Sequence, residues 1–237
     1  MTLDIPSPCR VNLSTPKDIH RKGLETFIQH VFCASYSANI GECMPVLMGL
    51  YDTVNTLQAA LGLRFAGSDR LFLETYLNEP VDTLLATRLG RYGELYGPRR
   101  DVIVEVGNLA ATQAGGTRWL IIALTALLQG AGFEWAVFTA TRSLRNAFNR
   151  LGLYMHPLGA ADPIRLTKNT SELWGSYYSH DPHVVAVNVQ HTFGVLDRYL
   201  RNGHGRGSLS GIWRQSYDIG NELYLPNSQN AANTWQR

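Results

Sequence analysis

Lysine is nearly absent from this chain. It occurs only as Lys17, Lys22 and Lys168 among 237 residues, so the positive charge is almost all arginine. The formal net charge is +2, and no stretch has the cationic density of a nucleic-acid arm. No nucleic-acid partner is therefore expected. Cysteine is scarce too. Cys9, Cys33 and Cys43 give an odd count without metal-ligand spacing, which speaks against a disulfide framework and for a reducing compartment. The longest apolar run is Trp119–Leu124, resumed at Ala126–Leu128. A bilayer span needs about 20 such residues, so stable membrane insertion is not expected. The opening MTLDIPSPCRVNLS lacks a basic start followed by an apolar core, and a soluble, cytoplasmic protein is the expectation. No Gly-x-Ser-x-Gly elbow occurs; GSLSG at Gly207–Gly211 follows no apolar strand, which argues against a hydrolase triad. His180 and His183 flank Asp181-Pro182 with no third ligand at a sensible spacing, so no metal is expected.

What is present describes a globular chain, 45% hydrophobic and 17% charged. Its length suits one domain, taken as 1–204, with a loosely ordered tail from 205 to 237. The tail follows from Asn202–Gly211, which holds four glycines and two serines. Arg10–Ser14 is a candidate strand. Thr15-Pro16 resembles a helix start, with Ile19, Leu24, Phe27, Ile28, Val31 and Phe32 as an apolar face to Ala34. Met44–Tyr51 reads as a strand, and Leu57–Phe65 as a strand or helix. Arg70–Tyr76 and Val81–Arg88 read as short helices. Thr170–Tyr178 is a short helix or turn, His183–Val187 a strand and Gln190–Arg201 an amphipathic helix.

The densest information lies in Asp101–Leu153. Strand Asp101–Ala111 leads through a glycine loop to helix Thr117–Gly130, strand Trp135–Ala140 and helix Thr141–Leu151; Tyr154–Leu158 is a further candidate strand. Alternating strands and helices predict an α/β layer fold, with the Arg118–Leu128 helix, apolar nearly all round, sandwiched at its centre. In the first strand Val102, Val104 and Val106 share one face, Ile103 and Glu105 the other. Burial would raise the Glu105 pKa and make it a usable base; the alternative is a buried carboxylate paired with an arginine. Gly107-Asn108 suggests a bulge or a splayed strand. Gln113-Ala114-Gly115-Gly116-Thr117 lets the backbone approach an anion at a helix start, though most such turns are only turns.

Four segments carry a family resemblance: LFLETYL at Leu71–Leu77, EVGNLA at Glu105–Ala110, FTAT at Phe138–Thr141 and LWGSYY at Leu173–Tyr178. Together they resemble the thermostable hemolysin family from about His20 to Val187. The family's name records a haemolysis phenotype. The family is similar in fold to GCN5-related N-acyltransferases and acyl-homoserine-lactone autoinducer synthases. The resemblance implies a single domain with a mixed central sheet, a splayed strand pair and helices on both faces. It implies an N-acyltransferase that moves an acyl group from an acyl thioester to a small amino-acid-like amine.

The resemblance also implies residue roles. Glu105 would be the base, directly or through water, and the Leu109 N–H would bind the oxyanion. The donor would lie against Asn108, Leu109, Ala110, Gln113, Gly115, Gly116, Thr117, Arg118, Phe138, Thr139, Thr141 and Asn146. On the substrate side, with Arg64 and Trp174, Glu74 would recognise a substrate ammonium group unless it simply pairs with Arg64, and Tyr177 and Tyr178 would line the acyl tunnel unless they are core. Two positions depart from the acetyltransferase pattern. Arg118 replaces a small residue in the phosphate loop, and Phe148 stands where a thiolate-protonating tyrosine belongs, with Tyr154 as substitute. Both departures weaken the case for acetyl-CoA and fit better a donor carried on acyl carrier protein phosphopantetheine; acyl-CoA stays open as the co-substrate, with no permanently bound cofactor. A basic rim of Arg88, Arg91, Arg99, Arg100, Arg118, Arg142, Arg145 and Arg150 would steer that acidic partner. The competing functions are a membrane-acting cytolysin and a plain acetyl-CoA acetyltransferase.

Overall fold

Seven short segments, the central ones buried at consecutive positions, place one sheet at the centre of the protein. In a computed structural model, residues 10–67, 69–89, 97–113, 115–204 and 208–223 are described. The expectations for residues 1–9, Arg91, Ala114 and 224–237 lie outside them. The strands are β1 (Arg10–Ser14), β2 (Val46–Tyr51), β3 (Leu57–Phe65), β4 (Ile103–Ala111), β5 (Trp135–Ala140), β6 (His156–Ala160) and β7 (His183–Asn188). Their order is β1-β2-β3-β4-β5-β7-β6. Neighbours are antiparallel except β4 and β5, which are parallel.

Helices cover both faces, as expected. On one face Val104 and Val106 pack with Leu61, Phe138 and Val185 beneath α3 (Gly116–Gly130). α4 (Arg142–Arg150) and α6 (Val189–Tyr199) add Phe148, Val189 and Leu196. The other face divides in two. α1 (Arg21–Tyr36) covers Leu47, Ala60 and Ala110. A 3-10 turn at Phe72–Tyr76 and α2 (Val81–Leu89) cover Ile103, Val137, Val184 and Ala186. Short α5 (Lys168–Leu173) and a 3-10 turn at Tyr177–His180 close the end near α1.

Two expectations are corrected. Thr15-Pro16 makes a turn, and α1 begins at Arg21, after Asp18 accepts hydrogen bonds from the His20 and Arg21 amides. The apolar series facing the sheet is Leu24, Ile28 and Phe32, whereas Ile19 is 87% exposed. A helix begun at Pro16 would have gained no burial from its first turn. The expected tail also holds a helix. α7 spans Ser208–Glu222 and lies along α3, burying Leu209, Ile212, Ser216 and Gly220. A Cβ on Gly220 would stand 2.1 Å from the Leu127 carbonyl oxygen, and one on Gly130 2.3 Å from that of Tyr217. The glycines therefore permit two backbones to touch. Spacing Leu209, Ile212, Ser216, Ile219 is a helical stripe, masked in composition by its polar neighbours.

Candidate active site

β4 and β5 pair from Ile103–Trp135 to Val106–Phe138 and then part. Beyond that point Gly107, Ala110 and Ala111 stay registered with β3, while Thr139 and Ala140 stay with β7. The expected splay thus falls between Gly107–Ala111 and Thr139–Thr141. Its cause is local. The β3–β4 register shifts between Ala60 and Gly62, giving β4 one extra residue. Asn108 there adopts φ 51°, a left-handed conformation that asparagine tolerates better than most residues. Its Oδ1 accepts the Met44 amide at 2.8 Å. Arg21, in turn, donates to the Met44 and Pro45 carbonyls at 2.8 Å each. The bulge thereby anchors the segment between α1 and β2 across the sheet.

The opening faces two helix starts. After β4 the chain turns through Gln113 and Gly115, at φ 87°, into α3. A Cβ on Gly116 would meet that of Ala111 at 2.7 Å, so glycine lets the helix start press against the strand end. Thr117 is half-buried and Arg118 exposed. After β5, buried Thr141 leads into α4, with Asn146 exposed. Arg145 donates to the Ala140 carbonyl at 2.8 Å and to the Asp181 carboxylate at 2.6 Å. His183 Nε2 lies 3.0 Å from the other Asp181 oxygen. Hydrogen bonds from Arg145, then from His183, hold the Asp181 carboxyl below its ordinary pKa.

Glu105 faces the α1 side, opposite Val104 and Val106, and is 2% exposed. Its oxygens accept the Phe72 and Leu73 amides at 3.0 and 2.9 Å. Arg64, its registered partner on β3, stands 4.0 Å away. Burial pushes the Glu105 pKa up, against the two amides and Arg64. Both readings of this residue thus meet: it has an arginine neighbour and a raised pKa.

Glu74 does not pair with Arg64. It accepts the Leu71 and Val81 amides, each at 2.8 Å, and Arg100 at 2.7 Å. Arg100 also bonds Asp82, because the turn at Phe72–Tyr76 aims Glu74 away from the splay and towards α2. Tyr154 also fails its assignment. β7 places His156 level with Val137, so Tyr154, two residues earlier, lies at the opposite end of the sheet from the splay. It is 61% exposed and stacks edge-on with His156.

The acceptor-side aromatics do converge. Trp174 contacts Phe32, Phe72 and Tyr177, and the Tyr177 hydroxyl reaches the Thr139 carbonyl at 3.4 Å. Tyr178 shares a 2.6 Å hydroxyl contact with Tyr76. Sequence reasoning missed Met44, Phe72 and Tyr36. Tyr36 packs on Tyr177 and His180, and burial pushes its phenol pKa up against a smaller lowering by a hydrogen bond with Thr141. An aromatic at the end of an amphipathic helix carries no sequence mark of this. The basic rim also shrinks. Arg88, Arg99, Arg100 and Arg145 are held by protein partners. Among the described residues Arg118 and Arg150 show none, and Arg142 is 74% exposed beside Asp181.

The chain belongs to the thermostable hemolysin family, whose sequence profile matches residues 14–193. No curated protein sequence matches it. Among solved structures it resembles TofI in an apo form, with TM-score 0.54 and 14% identity over 79% of this chain and 96% of that one. It resembles FeeM, an N-acyl amino acid synthase from uncultured soil microbes, with TM-score 0.51 and 12% identity over 78% and 94%. It also resembles BjaI, a CoA-dependent acyl-homoserine lactone synthase solved with SAM and isopentyl-CoA, with TM-score 0.51 and 13% identity over 79% and 88%. These likenesses establish that the chain shares the α/β fold of those proteins. Among the described residues, no helix is long and apolar enough to cross a membrane.

Proposed function

We propose that this protein is an N-acyltransferase that transfers an acyl group from a thioester to the amine of a small amino-acid-like acceptor. The observation that carries this reading is the parting of β4 and β5 beyond Val106–Phe138, directly before two helix starts. A strand edge left without its neighbour has free amides and carbonyls, and the pantetheine arm carries amides that match them. The thioester carbonyl then lies near the Leu109 N–H, where a developing oxyanion is stabilised. The acceptor nitrogen attacks, a C–N bond forms, and the C–S bond breaks. Glu105 takes the amine proton through water, and the departing thiolate takes one from solvent at the mouth.

The donor is acyl carrier protein. Arg118 and Arg142, at the starts of α3 and α4, flank the mouth and meet an acidic partner. The resemblance to a CoA-dependent synthase favours the second reading, acyl-CoA. The same acyl group offered on carrier protein and on CoA separates them. Carrier protein is expected to be preferred, with a rate that falls with salt because exposed charges are screened within about 10 Å at 0.1 M. Equal rates without salt dependence would assign the donor to CoA, and no transfer from either would remove the acyltransferase reading.

A further inference from the structure

On the α1 side of the sheet, two cross-strand pairs lie next to each other. Gly62 faces Gly107, and Arg64 faces Glu105. Along each strand the two members are two residues apart and share a face, about 6.6 Å from one to the next. The glycine pair adjoins the splay. The ion pair lies one step behind it. The space above the glycines is filled mainly by Met44, whose Cε is 2.4 Å from where a Gly107 Cβ would be and whose Cβ is 2.7 Å from a Gly62 Cβ; the Asn108 Oδ1 is 2.8 Å from that same Gly62 position. Asn108 and Arg21 hold the Met44 backbone, but its thioether end over Gly107 is flexible and can yield that space to a ligand.

Arg64 differs from the other arginines on this face. Arg21 and Arg100 are hydrogen-bonded to backbone carbonyls or to carboxylates. Arg64 has, among the described residues, only the 4.0 Å contact with Glu105, which is beyond hydrogen-bond length, and its side chain is 36% exposed. Its partner is already occupied by two backbone amides. The guanidinium fork is therefore available, and a planar carboxylate fits it in two parallel hydrogen bonds.

We infer that Arg64 binds the carboxylate of the acceptor, so that the substrate class is free α-amino acids rather than peptides, amino sugars or polyamines. This rests on the N-acyltransferase reading above and deepens it. The dimensions agree. With the carboxylate on Arg64, the α-amine points along the glycine pair towards the splay, beside Glu105, where the thioester carbonyl arrives. The acceptor side chain then turns towards Phe72 and Trp174.

The test offers a panel of protein amino acids, each beside its carboxamide, to the full-length protein and to Arg64→Gln. Acylation and direct binding are both measured, the latter by calorimetry. For the wild type, kcat/KM for the free acid is expected to exceed that for the amide by about 10- to 150-fold, the usual worth of a charge-assisted fork. Arg64→Gln abolishes that preference, mainly by raising KM for the free acid to that for the amide. Arg64→Lys keeps the charge without the fork and falls between the two. A wild type indifferent to the carboxyl group, or an Arg64→Gln protein that retains the preference, overturns the inference. If no amine is acylated, the transferase reading fails by itself. Amino-acid binding lost in Arg64→Gln, with unchanged melting, would still support the carboxylate site, and absence of binding to the wild type would remove it.

Discussion

Two buried glutamates sit in neighbouring parts of one face and titrate in opposite directions. Glu74 is 4% exposed and Glu105 2%. Each accepts two backbone amides. Desolvation raises both, but at Glu74 the hydrogen bonds of Arg100 and the amides outweigh it and the carboxyl ends below its ordinary pKa. At Glu105 the amides and the more distant Arg64 do not, and the carboxyl ends above it. Two things differ: Glu105 lies deeper in the protein, so desolvation weighs more on it, and its guanidinium stands at 4.0 Å where that of Glu74 stands at 2.7 Å. A close cation and shallower burial both favour the charged form of Glu74. Glu74 is thereby a structural anchor for LFLETYL, and Glu105 keeps a proton affinity that a base needs.

The largest test of this contrast replaces each glutamate. Glu105→Gln preserves shape and removes basicity, so turnover is expected to fall by roughly two to four orders of magnitude. The fold should survive with a loss of about 1–3 kcal/mol, because one of two amides loses its acceptor. Full activity in a folded Glu105→Gln protein would make this residue, like Glu74, purely an anchor. Glu74→Ala has the reverse profile. It leaves two amides without their acceptor and Arg100 with Asp82 as its remaining carboxylate, and denaturant unfolding should show a loss of about 2–5 kcal/mol. A loss below about 1 kcal/mol would mean that water replaces the carboxylate and that the two sites differ less than their hydrogen bonds indicate.

The acid limb of stability is the next distinction. The folded Glu74 carboxyl is depressed, so its contribution is complete above the unfolded carboxylate pKa and is lost as pH falls through the folded value. The folded Glu105 carboxyl is raised, so it works the other way: its cost is absent below the unfolded pKa and appears as pH rises through the folded value. Unfolding measured from neutral into acid should therefore flatten in Glu74→Gln relative to wild type and steepen in Glu105→Gln. Identical slopes in all three proteins would show that neither group titrates between the two states.

This pair also marks where sequence reading succeeds and stops. The strand alternation that puts Glu105 opposite Val104 and Val106 is visible in six residues, and Gly107-Asn108 announces the bulge that parts the strands. The family resemblance supplies the order of the elements. Which arginine meets which glutamate is not visible. Arg64 precedes Glu74 by ten positions, yet strand register gives it to Glu105, and the turn at Phe72–Tyr76 gives Glu74 to Arg100. Tyr154 was misplaced for a related reason. Closeness in sequence to α4 says nothing about which end of β6 it occupies. α7 was hidden by composition, since its close-packing residues are glycine and serine, the same types that mark loops.

The smallest effect concerns Arg64 as a cation. It lowers the Glu105 pKa without making a hydrogen bond. Removing it in Arg64→Gln should leave Glu105 still more reluctant to ionise. Since the base acts deprotonated, the acid limb of the pH–rate profile, followed with a carboxamide acceptor that does not use Arg64, should move to higher pH while the plateau rate is kept. Arg64→Lys should move it less, because a charge remains. The carboxamide matters because a free amino acid would combine this electrostatic change with loss of its own binding partner. An unmoved limb in Arg64→Gln would show either that solvent screens the 4.0 Å pair or that the limb belongs to another group. Repeating the profile in Glu105→Asp, which shifts the limb only if this carboxylate sets it, tells those apart.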